Sequence, residues 1–517
     1  MWHLARVAVG LLLAVSVCAS AGGLSAQGAP GQAIFRTGTS PGGGEIFARV
    51  GIDGVRVPGS VVPCGNCHGR DGLGRAEGGV LAPSIVWADL SASYGHIHAN
   101  GRRHRAFDEA GFIRAVREGV DPTGNRLDPA MPRFSISGED ARSLIAYLKE
   151  IETDLDPGLA EDEIGVATVI PAEGPLRAVG AAVARVLRGY FDDVNAAGGI
   201  YGRRIVLREV GFGRDPGAID GALRGLAARE DVFAVVAPVA LGGSAFSFAV
   251  FEQARVPVVG PISASMHSEE DAGPYVFFLD AGIDDLVRVS IRFLRGAAAA
   301  PRVAVLAPEN GPLARAAGLA LREVREAKQV TYPADRFDAP AAVAALRDQS
   351  IDTVLFFGAD AELSALLKAA DAAGWHPQIH LPGNLAARAA AAAPAGFDGR
   401  VYLAFPTLPC DLSEQGLSEL NAFSRRHRIE DDFHSVRVAS YVAAKVFVEA
   451  LRRAGRSLSR AGLKASLEGL HDFRTGLTPP LGFNADKRVG ARGGYVVSTD
   501  AARHSFRPQS EWIRLEP

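Results

Sequence analysis

From residue 163 onward, short apolar runs alternate with alanine-rich stretches of helical period. The runs at 164–170, 205–210, 232–237, 256–259, 303–307 and 353–357 are of strand length and, apart from Arg208-Glu209, almost without polar interruption. That texture belongs to strands buried on both faces, as in parallel sheets. Between the runs, segments 179–196, 217–228, 312–328, 340–349 and 362–373 carry apolar positions at helical spacing. The resulting βαβα alternation predicts a doubly wound α/β architecture, and its length predicts two such lobes.

The first 150 residues read differently. Ser137-Gly138-Glu139-Asp140 has helix-start chemistry, and Leu144, Ile145, Leu148 and Ile151 follow on one face, which predicts an amphipathic helix. Residues 28–44 are rich in Gly, Pro, Ser and Thr and read as a flexible lead-in, so the first unit is expected to begin near Glu45. The acidic stretch 154–162, with Pro157-Gly158 inside it, reads as a boundary. The chain therefore divides into an export segment (1–26), a lead-in (27–44), a small all-α unit (45–152), a linker (153–162) and a two-lobed α/β module (163–517).

Arg6, the apolar run 7–17 and the small residues up to Ala26 have the order of a secretory signal. The run is shorter than the ~20 apolar residues a bilayer requires, and no later segment approaches that length, so the mature chain is expected in the periplasm without a membrane span. The two other readings of this segment are an uncleaved membrane anchor and lipidation at Cys18, for which Val17 is a poor preceding residue. A net charge of −3 leaves no basic footprint for nucleic acid.

Beyond the export segment only Cys64, Cys67 and Cys410 remain, an odd count in a compartment where disulfides form. Two of them stand in Cys64-Gly65-Asn66-Cys67-His68, the attachment pattern for haem c. Two thiols at that spacing both reach the porphyrin vinyl groups, and the adjacent imidazole reaches the iron. Half a zinc site, or a disulfide across the pair, are the other readings; zinc would need two more ligands, with His96, His98 and His104 within the sequence neighbourhood. For the sixth iron position the inventory is short, because only Met131 and Met266 follow the export segment. Met131, followed by Pro132 and placed before the terminal helix, is the expected axial ligand. His96, His98 and His104 are expected as solvated loop residues, any of which would be a rival ligand. Arg102, Arg103 and Arg105 are expected on a solvated face, with pairing to haem propionates or to an acidic redox partner as the other reading.

On these residues the segment 45–150 resembles the class I cytochrome c family. The resemblance is carried by Gly44-Glu45-Ile46-Phe47 as first helix, Cys64 to His68, Gly119 to Pro122, Met131 to Phe134 and Leu144 to Leu148. It implies helices packed around one haem, two thioether bonds and His/Met ligation, which suits one-electron transfer with a periplasmic dehydrogenase or another cytochrome.

The remainder, from Glu163, resembles the type I periplasmic binding proteins of ABC importers, in particular the branched-chain amino-acid and amide group. Val194-Asn195-Ala196-Ala197-Gly198-Gly199-Ile200, leading through Tyr201-Gly202 to Ile205, carries it most sharply. Ala237-Pro238, Val256 to Pro261, Arg302 to Val305 and Gly374 to Pro377 follow in the same order. The resemblance implies two lobes closing on a small-molecule ligand, with chain crossings expected near Asp280, Pro406 and Thr478, and an ABC permease as partner. It implies a pocket from loops 171–176, 240–244, 263–265, 309–311, 358–361 and 383–385. Ser244, Ser263 and Ser265 would offer hydroxyls to a carboxylate. Asn384 stands where an acid would meet an ammonium group, with Glu309 or Asp360 as substitutes. Cys410 is expected as a buried structural thiol, and no Gly-x-Ser-x-Gly elbow suggests an enzyme. The leading expectation is an electron carrier joined to a solute-binding module. The alternatives are an importer component with an accessory haem domain and a dehydrogenase subunit.

Overall fold

Runs such as Glu163–Pro171, in which every residue after the first is buried, form the central strands of a computed structural model of the chain. It describes residues 28–74, 76–77, 80–98, 101–213, 216–239, 247–262, 273–296, 301–430 and 432–515. The segment read as an export signal lies outside them. The chain divides into two compact units, Met1–Leu155 and Asp156–Pro517. Among the described residues no helix is long and apolar enough to cross a membrane.

The second unit holds two sheets. One has six strands, ordered Val489–Ala491, Val276–Asp280, Val258–Val259, Ala234–Val236, Glu163–Pro171 and Arg204–Phe212. All its pairings are parallel. Helices Arg177–Ala196 and His434–Ala454 bury Val183, Leu187, Val446 and Phe447 against it. The loop between the first of these helices and its strand is locked by Asn195, whose side chain exchanges two 2.8 Å hydrogen bonds with the Ile205 backbone.

The other sheet runs Lys328–Tyr332, Val303–Pro308, Thr353–Phe356, Gln378–Pro382, Val401–Phe405, Gly493–Asp500 and Ser505–Pro508, with Ile513–Arg514 also paired to Gly493–Asp500. Its first five strands are parallel, and the later ones antiparallel. The stretch 312–328, expected as one helix, ends at Glu323 and gives way to the strand Lys328–Tyr332, where Val330, Thr331 and Tyr332 favour extended backbone.

The chain passes between the two lobes three times. It leaves Val276–Asp280 for helix Ile283–Arg295, which packs on the second sheet. It returns after Val401–Phe405 to helices that pack on the first. The third passage is not near Thr478 but at Arg492, the single residue between Val489–Ala491 and Gly493–Asp500. Leu477, Leu481 and Phe483 are still buried in the first lobe's core, which holds the chain there past Thr478.

The first unit is mixed rather than all-α. Strands Val55–Pro58, Phe47–Val50 and Arg133–Ser135 form an antiparallel sheet, and two short hairpins pair Ala76–Glu77 with Val80–Leu81 and His96–Ile97 with Arg103–His104. Residues 44–47, expected as the first helix, lead instead into the strand Phe47–Val50. The first described helix is Gly28–Thr37, within the supposed flexible lead-in. It packs on Gly138–Glu150, burying Ile34 and Phe35, with the Phe35 and Tyr147 rings 5.3 Å apart. Gly31 makes that approach possible, since a Cβ there would meet the Ser143 carbonyl oxygen at 2.0 Å. Asp154, read as linker, ties both helices down: it accepts from Gln32 at 2.9 Å and from Tyr147 at 2.5 Å and pairs with Arg36.

Candidate functional site

In open parallel sheets a ligand sits outside the carboxyl ends of the strands. Three of the six residues expected to bind a solute stand there in the second lobe, each after a different adjacent strand. Glu309 follows Val303–Pro308 and is exposed, with its backbone N–H bonded to the Tyr332 carbonyl at 2.9 Å. Asp360 opens helix Asp360–Ala372, and Asn384, also exposed, is the second residue of Gly383–Ala391.

Asp360 is already engaged. One oxygen accepts from the Ala389 N–H at 2.8 Å, and the other lies 3.2 Å from Arg388, so this carboxylate joins two helices. Glu309 and Asn384 are the exposed side chains at these strand ends. Ser244, Ser263 and Ser265 lie outside the described residues. Sequence reasoning did not treat Asp280 as a titrating group; it ends the strand at the first passage between lobes, and burial pushes its carboxyl up to about 6. Two cavities involve other residues than these three, and one of them reaches the expected loop 171–176 through Pro171 and Ala172. One of about 450 Å³ is lined by Ser424, Arg425, Arg428 and Arg437, and one of about 280 Å³ by Pro171, Arg177, Arg185 and Glu209. Cys410, expected as buried, is exposed on the short turn Pro409–Asp411.

In the first unit, Pro63 precedes the single-turn helix Cys64–His68, which carries the two thiols and the imidazole. His68 is buried, and its Nδ1 lies 2.9 Å from the Pro83 carbonyl. A carbonyl only accepts, so Nδ1 carries the proton and Nε2 keeps its lone pair, the tautomer a metal-binding histidine requires. Burial holds the imidazole below its ordinary value, in the neutral form. Cys64 is half-buried, with its thiol pushed up to about 12 by burial, and Cys67 is exposed; both are free thiols.

Met131 is half-buried and packs against the same core cluster as Cys64, together with Phe134 and Leu144. Apolar side chains are bared in this unit: Val61, Leu73, Leu81 and Ile97 are all exposed, and Tyr201 is the one exposed large hydrophobic among the described residues outside it. Two thiols, a lone-pair imidazole, a thioether and uncovered apolar surface fit the chemistry of haem c. They fit zinc less well, because among the described residues Cys64 and Cys67 belong to no preformed group of three or more His, Cys, Asp or Glu donors, and a structural zinc site takes four.

The three histidines expected in a solvated loop belong instead to a hairpin. His96 pairs with His104 across it, and His104 is buried against Phe107, with ring centroids 4.9 Å apart. Burial, with Arg102 and the two neighbouring imidazoles, pushes His98 down to about 4. Arg102 is no solvated residue either: it pairs at 2.7 Å with the fully buried Asp121. The reason is local. Gly119 closes helix Glu109–Glu118 in the left-handed conformation, and Asp121 then collects the N–H groups of Thr123 and Asn125 at 2.9 Å, creating a buried carboxylate that needs a cation.

Compared with known proteins, residues 163–504 match the family model described as periplasmic binding protein. Among solved structures, the fatty acid ABC transporter substrate-binding protein from Thermomonospora curvata is similar at 19% identity, covering 70% of this chain and 95% of its own, with a TM-score of 0.54. A branched chain amino acid ABC transporter from Thermus thermophilus with bound valine is 16% identical over 69% of this chain and 98% of its own, with a TM-score of 0.54. An ABC transporter substrate binding protein from Aeropyrum pernix is 15% identical over 68% and 96%, with a TM-score of 0.55. These likenesses establish the fold of the second unit. No curated protein matches the chain.

Proposed function

The chain belongs to the periplasmic binding protein family through residues 163–504, and from that membership we propose that its second unit is the solute-binding component of an importer, delivering a small organic molecule to an ABC permease. The observation that carries this reading is the two sheets with parallel central strands, joined by three passages, and the exposed polar side chains Glu309 and Asn384 beyond the carboxyl ends of adjacent strands. The similar structures include one with bound valine and one named for fatty acids. A carboxylate is common to both ligands, and Ser244, Ser263 and Ser265 are the hydroxyls we assign to it. With Asp360 held by Ala389 and Arg388, Glu309 is the acid left for an ammonium group and Asn384 its neutral neighbour.

The test is a calorimetric titration of the purified chain with branched-chain amino acids, fatty acids and aromatic acids. Saturable binding of one class, weakened about tenfold or more by Asn384→Ala or Glu309→Ala, is expected. No binding across the panel would remove the importer reading.

A second reading concerns the first unit, and the hydrogen bond from His68 Nδ1 to Pro83 favours it. We infer that Cys64 and Cys67 would hold one haem c covalently and that His68 and Met131 would ligate its iron. When bound, that group supplies one-electron transfer to a periplasmic redox partner, a dehydrogenase or another cytochrome. Pro83 fixes the His68 tautomer and ring orientation, and the uncovered Val61, Leu73 and Leu81 supply apolar surface for a large flat ring. A place as electron-transfer subunit of a dehydrogenase would draw on these same residues.

A further inference from the structure

The hairpin of the first unit gathers three imidazoles that neither reading uses. His96 and His104 are directly paired across antiparallel strands, and His98, two positions beyond His96, shares their face. Their ring centroids are 4.6, 5.0 and 5.9 Å apart. A metal ion held about 2.0–2.1 Å from one nitrogen of each ring would lie about 3 Å from each centroid, and tetrahedral angles would set the centroids about 5 Å apart. We propose that His96, His98 and His104 form a second metal site, taking a divalent transition ion of the imidazole-preferring class, Zn(II) or Cu(II), with water in the remaining position.

Two of the three rings have identifiable support. His104 is buried, and its Nδ1 lies 2.8 Å from the Arg105 carbonyl, which leaves Nε2 as the ligating atom and fixes the ring. His98 Nε2 lies 2.8 Å from Arg102 Nη2 and has to turn away to ligate. That movement is a side-chain rotation, and it leaves Arg102 anchored, because its Nη1 is held by Asp121 at 2.7 Å. Among the described residues no three-donor group stands preformed, so the site forms only once His98 has turned.

The experiment is a calorimetric titration of the chelator-stripped full chain with zinc chloride, paired with zinc-edge X-ray absorption. Expected are one zinc per chain, affinity lower by about tenfold or more in the double variant His96→Gln, His98→Gln, and a first shell of nitrogen and oxygen only. His96 is exposed and His98 half-buried, so circular dichroism of that variant should match the parent. No saturable uptake by the parent chain, equal affinity in the variant, or sulfur in the first shell, which would move the ion to Cys64 and Cys67, each overturns the proposal.

Discussion

The two units hold themselves together by different means. The second buries its strands between helices: Val235, Val236, Val258 and Val259 have no exposed surface, and the cores on both faces are made of the chain's own side chains. The first has strands of two to four residues and a smaller core built on Phe35, Phe134, Tyr147 and their neighbours, while Val61, Leu73 and Leu81 stand uncovered. A parallel sheet with covered faces needs nothing further to be stable, whereas a small unit that leaves apolar side chains bare gains from a group that covers them. Autonomy in one unit and dependence in the other is the contrast to test.

The sharpest way to break it is Cys64→Ser together with Cys67→Ser. Covalent haem should be lost completely, the first unit should lose its cooperative melting transition, and the second should keep its melting temperature and its solute binding, as read by differential scanning calorimetry and ligand titration. A fall in the second unit's stability would remove the contrast.

The second unit should show an acid sensitivity of its own. His380 is buried, stacks at 4.5 Å on Tyr402, and has no hydrogen-bond partner on either ring nitrogen, and burial pushes it down to about 3 from 6.5. Below pH 6.5 the unfolded chain binds a proton that the folded chain refuses, so stability falls with pH from 6.5 toward 3, by about 3 kcal/mol at pH 4. His380→Phe keeps a ring beside Tyr402 and should flatten this dependence in urea denaturation followed at pH 7, 5 and 4.

A smaller effect should appear at Gly31. Adding one methyl in Gly31→Ala forces the helices Gly28–Thr37 and Gly138–Glu150 apart and should cost the first unit about 2 kcal/mol, seen as a lower first transition in the same calorimetric scan.

What could be read from the sequence differs between the units in the same way. Continuous apolar runs mark the buried strands of the second unit, because burial on both faces writes itself into every position, and 164–170 and 303–307 fall within observed strands. The strand Lys328–Tyr332 escaped because its exposure is mixed and a helix precedes it closely. In the first unit the single-turn helix Cys64–His68 gathers a motif written within five residues, whereas the helix Gly28–Thr37 is not legible. Its Gly and Pro content reads as loop, and only Tyr147, more than a hundred residues away, explains why Gly31 and Phe35 are there. The engagement of Asp360 by Ala389, 29 residues on, was hidden because it needs the packing of two successive helices, and the meeting of His96 with His104 because it needs the register of a short hairpin.

The proposal that a covalently attached haem precedes the solute-binding module is tested most directly by a pyridine haemochrome spectrum of the purified chain after acid-acetone extraction. The account predicts that the haem stays with the protein and gives the spectrum of two thioether bonds, one haem per chain. Haem that extracts, or a chain with none, would contradict it and leave Cys64, Cys67 and His68 to another chemistry.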